Sequence, residues 1–353
     1  MGFMTVKELM EQAKERCERP RPVRLCDMAE LDTLDCDNID NLLISHNYSG
    51  PIPNLHMFPK LKKLHIIKQI SLTDFEQMDL SSIEDLYVVF EKKEHFIRFN
   101  LPNIKNLNVY ISNNENVQLS LFDTFDAIID ISVCTALEEL SLLHCTGYEI
   151  KTDVLPKLKR LVCIDHKKYD FEILKFTPNL THLVAMNCWV ENIDFLKLTP
   201  HLLFLNLSYN EITDASKISE LSNLKSLDIY RNPLDDLEKY KTLPFKVLVT
   251  EKDNDFQMFL HSIWTSINSA YSMLKSARKP DPKRKPFIQQ MYDQQTDEQI
   301  FTRNLASNIK QDIEYHTSTE KNWKKNILLT VEELTDFVLQ EYPFLTDFFE
   351  TKV

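Results

Sequence analysis

Apolar residues return along this chain in a fixed order about every 22 residues. In the fullest copy, Leu202, Leu205, Leu207 and Asn210 follow one another at intervals of three, two and three residues. Neighbouring copies are separated by 21 or 22 residues, with one separation of 33. Because a fixed period of this length is typical of stacked repeats, the pattern predicts a solenoid. The first apolar position of the copies is occupied by Ile39, Leu61, Ile83, Ile104, Leu137, Leu158, Leu180, Leu202 and Leu224.

Within each copy, apolar residues at the fourth and sixth positions are separated by a single residue. This period of two predicts a short strand that turns positions four and six inward and positions three, five and seven outward. The long copy, near residues 112–135, holds either an inserted loop at residues 113–118 or a degenerate half-repeat around residues 128–133.

The order L-x-x-L-x-L-x-x-N resembles the leucine-rich-repeat family, in its 22-residue bacterial, internalin-like style, over roughly residues 25–250. The resemblance implies a horseshoe with a parallel sheet on its concave face and an Asn that satisfies backbone groups in each turn. The middle copies depart from this Asn, so we expect less regular turns there. The Asn position holds Asn47, Gln69, Glu91, Ser112, Cys145, His166, Cys188, Asn210 and Asn232.

Helical patterns flank the repeats on both sides. Residues 1–38 are predicted to form an N-terminal helical cap, with Thr5 as the N-cap of a helix over residues 6–17. Residues 251–353 are predicted to form an all-α domain, with Asp255 as the first N-cap and a capping box of Thr330 and Glu333 further on. The predicted fold class is therefore an α/β solenoid of about nine to ten repeats over residues 39–250, with a helical cap and a helical C-terminal domain.

Composition narrows the functional classes. A net charge of −12 disfavours a general nucleic-acid binder, which needs a basic face. Only three glycines are present and no glycine-rich phosphate loop is found. Seven cysteines without C-x-x-C spacing indicate reduced thiols in a cytoplasmic setting. No apolar segment reaches the length of a transmembrane helix, and no Sec-type signal is seen at the N-terminus.

The outward strand positions hold the candidate site. Seven of the nine residues at position seven are apolar or aromatic, where exposure alone would favour polar side chains, and such a stripe indicates a protein-binding surface. Strand propensity, or cover by the inserted loop or the C-terminal helices, offers another explanation. The predicted protein-binding residues on the concave face are His65, Ile67, Tyr87, Val89, Tyr110, Leu143, Ile164, Met186, Phe204 and Tyr230.

Other chemistry finds little support. The histidines on or beside this face do not occupy adjacent strands of one column, so we interpret them as polar surface and predict no metal site. No cofactor motif is present, the basic run of residues 278–286 is interpreted as a linker, and residues 189–353 contain no Cys nucleophile. We therefore predict no catalytic residues and no enzymatic activity.

The expected function is protein recognition by a monomer whose partner the sequence does not identify. The architecture resembles leucine-rich-repeat effectors that intracellular bacteria deliver by type IV (Dot/Icm-type) secretion, which implies translocation without a Sec signal and a host protein as target. Two alternatives stay open. One is a eukaryotic-type adaptor, either a phosphatase regulator or a ubiquitin-ligase substrate receptor, and the other is an enzyme with activity in the helical domain.

Overall fold

The computed structural model of the chain contains two units, one of residues Arg21–Val249 and one of residues Met1–Pro20 with Thr250–Val353. The structure describes residues 5–18, 21–91, 95–112, 127–166, 171–235, 239–240, 243–244, 246–248, 251–279, 290, 292–318 and 329–350. The predicted inserted loop at residues 113–118 and most of the basic run at residues 278–286 lie outside the described residues.

The repeat unit is built on parallel strands. An 11-stranded sheet has the order β1-β2-β3-β4-β6-β8-β10-β11-β12-β13-β14, and a second sheet has the order β5-β7-β9. The strands are β1 Val23–Leu25, β2 Asn41–Ile44, β3 Lys63–Ile70, β4 Asp85–Glu91, β5 Phe96–Arg98, β6 Asn106–Ser112, β7 Ala127–Asp130, β8 Glu139–Leu143, β9 Tyr148–Lys151, β10 Arg160–Ile164, β11 His182–Met186, β12 Phe204–Asn206, β13 Ser226–Asp228 and β14 Lys246–Leu248.

Equivalent repeat positions lie side by side across the long sheet. Leu183, for example, is the register partner of Leu161 on one side and of Leu205 on the other. The residues at positions one, four and six are buried in every copy and form one continuous core. This register confirms the prediction of a leucine-rich-repeat solenoid with a parallel sheet, because only a period of about 22 residues brings these leucines opposite one another.

The start of the chain differs from the prediction in two ways. Strand β1 pairs with β2, with Val23 opposite Leu42, so the sheet begins inside the predicted cap of residues 1–38. The first helix, α1 (Val6–Cys17), has the predicted N-cap at Thr5. Its buried residues Leu9 and Ala13 pack in the core of the helical unit. A single amphipathic face does not itself specify which apolar surface will cover it, and here that surface is helical.

The long copy contains the second sheet. Strand β7 pairs with β5 on one side and β9 on the other, while β6 pairs directly with β8 in the long sheet. Ile129 and Ile131 are buried in the solenoid core. The extra residues thus include a strand that runs outside the 11-stranded sheet, where the half-repeat around residues 128–133 was one of the two sequence-based alternatives.

The helical unit contains α1, α3 (Glu251–Arg278), α4 (Asp297–Thr317), α5 (Val331–Glu341) and α6 (Thr346–Glu350); α2 (Leu72–Glu76) belongs to the repeats. The predicted capping box of Thr330 and Glu333 is present at α5. Asp255 is not an N-cap, because α3 begins at Glu251 and Asp255 is buried within it. None of the helices in the described part of the chain is both long and apolar enough to span a bilayer.

Candidate protein-binding face of the sheet

Five consecutive repeats end their strands with the same backbone turn. The residue after position seven adopts a left-handed conformation, with φ between 55° and 59°, in the repeats of β8, β10, β11, β12 and β13. We call these five the turn repeats. The left-handed residues are His144, Asp165, Asn187, Tyr209 and Arg231. The turn directs the following residue, the Asn position of the repeat, into the core.

Asn210 shows how the Asn position stabilises the turn. Its Nδ2 donates to the carbonyl oxygens of Ala185 and Leu207 at 2.7 and 2.8 Å. Its Oδ1 accepts from the backbone N–H groups of Cys188 and Val190 at 2.9 and 3.1 Å. One amide side chain therefore satisfies backbone groups of two neighbouring repeats, which would otherwise be buried without partners. Asn232 makes equivalent bonds one repeat later.

Cysteine and histidine occupy the Asn position of the other turn repeats. The Cys188 thiol donates to the carbonyl oxygen of Cys163 at 3.4 Å, and the Cys145 thiol donates to that of Leu143 at 3.5 Å. Burial raises the pKa of Cys188 to about 11 and the pKa of Cys145 further still. Burial lowers the pKa of His166 to about 4, so this imidazole is neutral at physiological pH.

Repeats with long strands close differently. Strand β3 has eight residues, and β4 and β6 have seven each; we call these three the long-strand repeats. Phe90 and Ile111 follow position seven within extended strands and are fully buried. The next residues, Glu91 and Ser112, are partly exposed strand ends, so the absence of Asn at those positions has a structural cause. The predicted irregularity of the middle turns is thus a longer strand.

The outward side of the 11-stranded sheet carries a band of partly exposed apolar and aromatic side chains. The band lies on the adjacent strands β4, β6, β8, β10 and β11, because those strands pair in that order. We define the outward band by residues at positions five and seven, namely Tyr87, Tyr110, Leu143, Ile164, Val184 and Met186. Cross-strand pairing places Tyr110 opposite Leu143, and Ile164 between Leu143 and Met186.

Two predicted site residues are buried, contrary to the expectation of an exposed side chain. Val89 is only 6% exposed, because it lies between its register partners Gln69 and Tyr110. Tyr230 is only 5% exposed, because its ring packs edge-on against Tyr209 and its hydroxyl accepts from Arg231 Nε at 2.9 Å. Both side chains support the face from within.

A bulge displaces a third predicted residue. The register of β3 and β4 shifts between Ile66 and Gln69, so Gln69 rather than Ile67 pairs with Val89. Ile67 therefore lies at the bulge, with 40% of its surface exposed. Phe204 is 42% exposed and stacks on the ring of His182 with centroids 4.5 Å apart.

Polar groups border the band on one side at position three. His65 Nε2 lies 3.6 Å from Asp85 Oδ1, and Asn106 Nδ2 donates to Asp85 Oδ2 at 3.5 Å. Burial opposes ionisation of Asp85, but these contacts together hold the pKa of its carboxyl below the ordinary value. Further along the same border, Glu139 and Arg160 are register partners, and both are exposed.

The left-handed turn residues form the other border. His144 Nε2 lies 3.4 Å from Asp165 Oδ2, and Asn187 donates to Asp165 Oδ1. The His144 ring meets Tyr110 edge-on, with centroids 5.0 Å apart. Sequence reasoning missed this row, although the step of 21 or 22 residues between its members repeats the period of the leucines. In the described part of the chain, no group of three or more His, Cys, Asp or Glu is arranged to hold a metal ion.

Comparisons with known proteins agree on the kind of repeat. A family model described as leucine-rich repeats (2 copies) matches residues 200–242, which contain β12 and β13. A comparison with curated protein sequences gave no match.

Solved structures with similar repeats come from several sources. An internalin (inlF) from Listeria monocytogenes is 18% identical, with 69% of this chain and 90% of that chain covered and a TM-score of 0.27. Listeria monocytogenes InlP is 14% identical, with 70% and 71% covered and a TM-score of 0.36. The chain of a TLR13–ssRNA13 complex is 17% identical, with 62% and 34% covered and a TM-score of 0.41. This chain thus spans about a third of the TLR13 chain.

Proposed function

We propose that the chain recognises a protein partner through the outward band, without catalysis. The observation that carries the proposal is the band itself, six partly exposed apolar and aromatic side chains on five adjacent strands. Contiguous exposed patches of this kind mark interaction sites, and aromatic residues and Met are enriched in the cores of protein interfaces.

Strand propensity is a weaker explanation of the band. The same outward positions on β12 and β13 hold Asn206, Ser208 and Asp228, which are polar. The strands therefore tolerate polar outward residues, and the apolar residues are concentrated on one part of the sheet. This distribution favours selection for binding over a general preference of strands.

Binding without catalysis agrees with the state of the thiols. Burial raises the pKa of Cys134 and Cys188 to about 11 each, and that of Cys163 further. Since the thiolate is the nucleophile, these cysteines are poor candidates for covalent chemistry. The single-surface mechanism is presentation of a preformed face, which lowers the ordering cost of association.

The proposed experiment is affinity capture from host-cell lysate with matched variants. The band variant is Leu143→Asn/Met186→Asn, which keeps side-chain size while removing apolar surface. The control is Val154→Asn/Met258→Asn, which removes exposed apolar residues at 53% and 56% exposure elsewhere in the chain. A partner captured by wild type and control but lost by the band variant supports the proposal. Equal capture by all three proteins would contradict it.

We further propose that the partner is a host protein and that the chain acts as a bacterial effector. The support is the resemblance of its 22-residue repeats to the bacterial style. A translocation reporter fused to the chain should enter host cells from bacteria with a working Dot/Icm-type system and fail to enter from a secretion mutant. Entry that is independent of the system, or no entry from either strain, would contradict the effector role.

A further inference from the structure

The outward band has dimensions that can be compared with those of a ligand. Its five strands are separated by four steps of about 4.8 Å, so the band is about 19 Å long across the strands. Positions five and seven of one strand are about 6.6 Å apart, which gives the width. The band is therefore a narrow apolar strip perpendicular to the strands, with polar borders on both sides.

An extended peptide fits this strip poorly. Every strand of the band is paired on both sides, so no sheet edge is open there for an added strand. A peptide crossing the strands would place its backbone N–H and C=O groups over apolar side chains, and each unpaired group costs about 1–3 kcal/mol. Its side chains on one face would also repeat at about 6.6 Å, out of step with strands at about 4.8 Å.

An α-helix avoids these costs. Its backbone groups are bonded internally, so only side chains meet the strip. Its turns repeat at about 5.4 Å along the axis, close to the spacing of the strands. About 13 residues span the length of the band at 1.5 Å per residue, and the apolar stripe of an amphipathic helix has a comparable width.

Charge narrows the chemistry of the helix. The chain carries a net charge of −12, which accelerates encounters with a basic partner. At one border, exposed Glu139 and Arg160 lie on adjacent strands about 4.8 Å apart. That separation matches side chains three or four residues apart on a helix, whose Cβ atoms are about 5–6 Å apart.

We infer that the outward band binds an amphipathic α-helix of the partner, lying across the strands, with an apolar stripe and a net basic polar face. This inference rests on the proposed function and specifies the form of the partner. The basic face and the pair of Glu139 and Arg160 then set the direction of the helix, because reversing the helix places like charges opposite each other.

The test is a selection from two peptide display libraries against the immobilised full-length chain. Both libraries contain peptides of about 14 residues with the same basic and apolar composition. One has apolar residues at helical spacing and the other alternates them as in a strand. Selected peptides are then measured against wild type, the band variant Leu143→Asn/Met186→Asn and the control Val154→Asn/Met258→Asn. A further variant, Phe204→Ser, probes an exposed residue whose loss does not disturb the core.

We expect enrichment from the helix-patterned library, with peptides that gain helical circular dichroism on binding. Their affinity should fall by about tenfold or more for the band variant, fall to a lesser degree for Phe204→Ser, and stay unchanged for the control. Enrichment from the strand-patterned library alone, or from neither library, overturns the inference. If a lysate protein is captured through the band while no helical peptide binds, the helix inference fails and the proposed function stands.

Discussion

The long-strand repeats and the turn repeats solve the same problem with different chemistry. Each must close its core where the strand leaves the sheet. The long-strand repeats continue the strand and bury an apolar residue, Phe90 or Ile111. The turn repeats use a left-handed residue and then a buried polar side chain, best seen in Asn210. The first solution depends on aromatic packing, and the second on hydrogen bonds to neighbouring repeats.

Packing near Phe90 explains why the long strands need no amide. Phe75 on α2, Phe90 on β4 and Phe99 just after β5 meet edge-to-face, with centroids 5.1 to 6.1 Å apart. The second sheet covers this side of the core over the same repeats. The outward band crosses from long-strand repeats into turn repeats, so both solutions hold one recognition face in register.

Replacing Phe90 should break the long-strand solution. Phe90→Ala removes a fully buried ring, and we expect the free energy of unfolding to fall by about 3–5 kcal/mol. The matched control is Phe96→Ala on β5, where the ring is 44% exposed and the expected change is about 0.5 kcal/mol. Urea titration followed by circular dichroism measures both. Equal losses for the two variants would contradict the aromatic cluster as the main support.

Acid should weaken the turn repeat that holds His166 in place of Asn. Burial lowers its pKa from 6.5 to about 4 in the folded chain. A base with a lowered folded pKa contributes stability above its unfolded pKa and loses it as the pH falls from 6.5 towards 4. The contribution is on the order of 3 kcal/mol. Between pH 7.5 and 4, wild type should therefore lose more stability than His166→Asn, and parallel pH profiles would contradict this prediction.

The Asn position should matter in one class of repeat and not in the other. Asn210→Ala leaves the N–H groups of Cys188 and Val190 without their acceptor, and we expect a loss of about 2–3 kcal/mol. Ser112→Ala changes the same period position at the end of a long strand, with an expected effect of about 0.5 kcal/mol. Urea unfolding midpoints compare the two. A similar loss for both would remove the distinction between the repeat classes.

The inward half of the fold could be predicted from the sequence, because burial follows the period. Leu64, Leu140 and Leu205 occupy the same repeat position and meet the same core, so a single copy of the pattern predicts the others. The paths of β7 and α1 could not be predicted this way. Each is a single amphipathic segment, and several apolar surfaces can satisfy it.

The outward half was less predictable, because exposure there depends on neighbouring side chains. Val89 and Ile67 have the same apolar character and the same period position, yet one is buried and the other lies on a bulge. A bulge adds residues without changing the apolar pattern on either side, so the period alone does not reveal it. Tyr230 is buried by Tyr209 and Arg231, whose positions depend on the left-handed turns.

The recognition face itself is tested most directly by site-specific photo-crosslinking from two phenylalanine positions of nearly equal exposure. A photoreactive phenylalanine analogue replaces Phe204, beside the outward band at 42% exposure, or Phe96, on the second sheet at 44%. After irradiation in host-cell lysate, we predict a covalent adduct with one partner from position 204 and none with that partner from position 96. An adduct from position 96 alone would contradict recognition through the outward band.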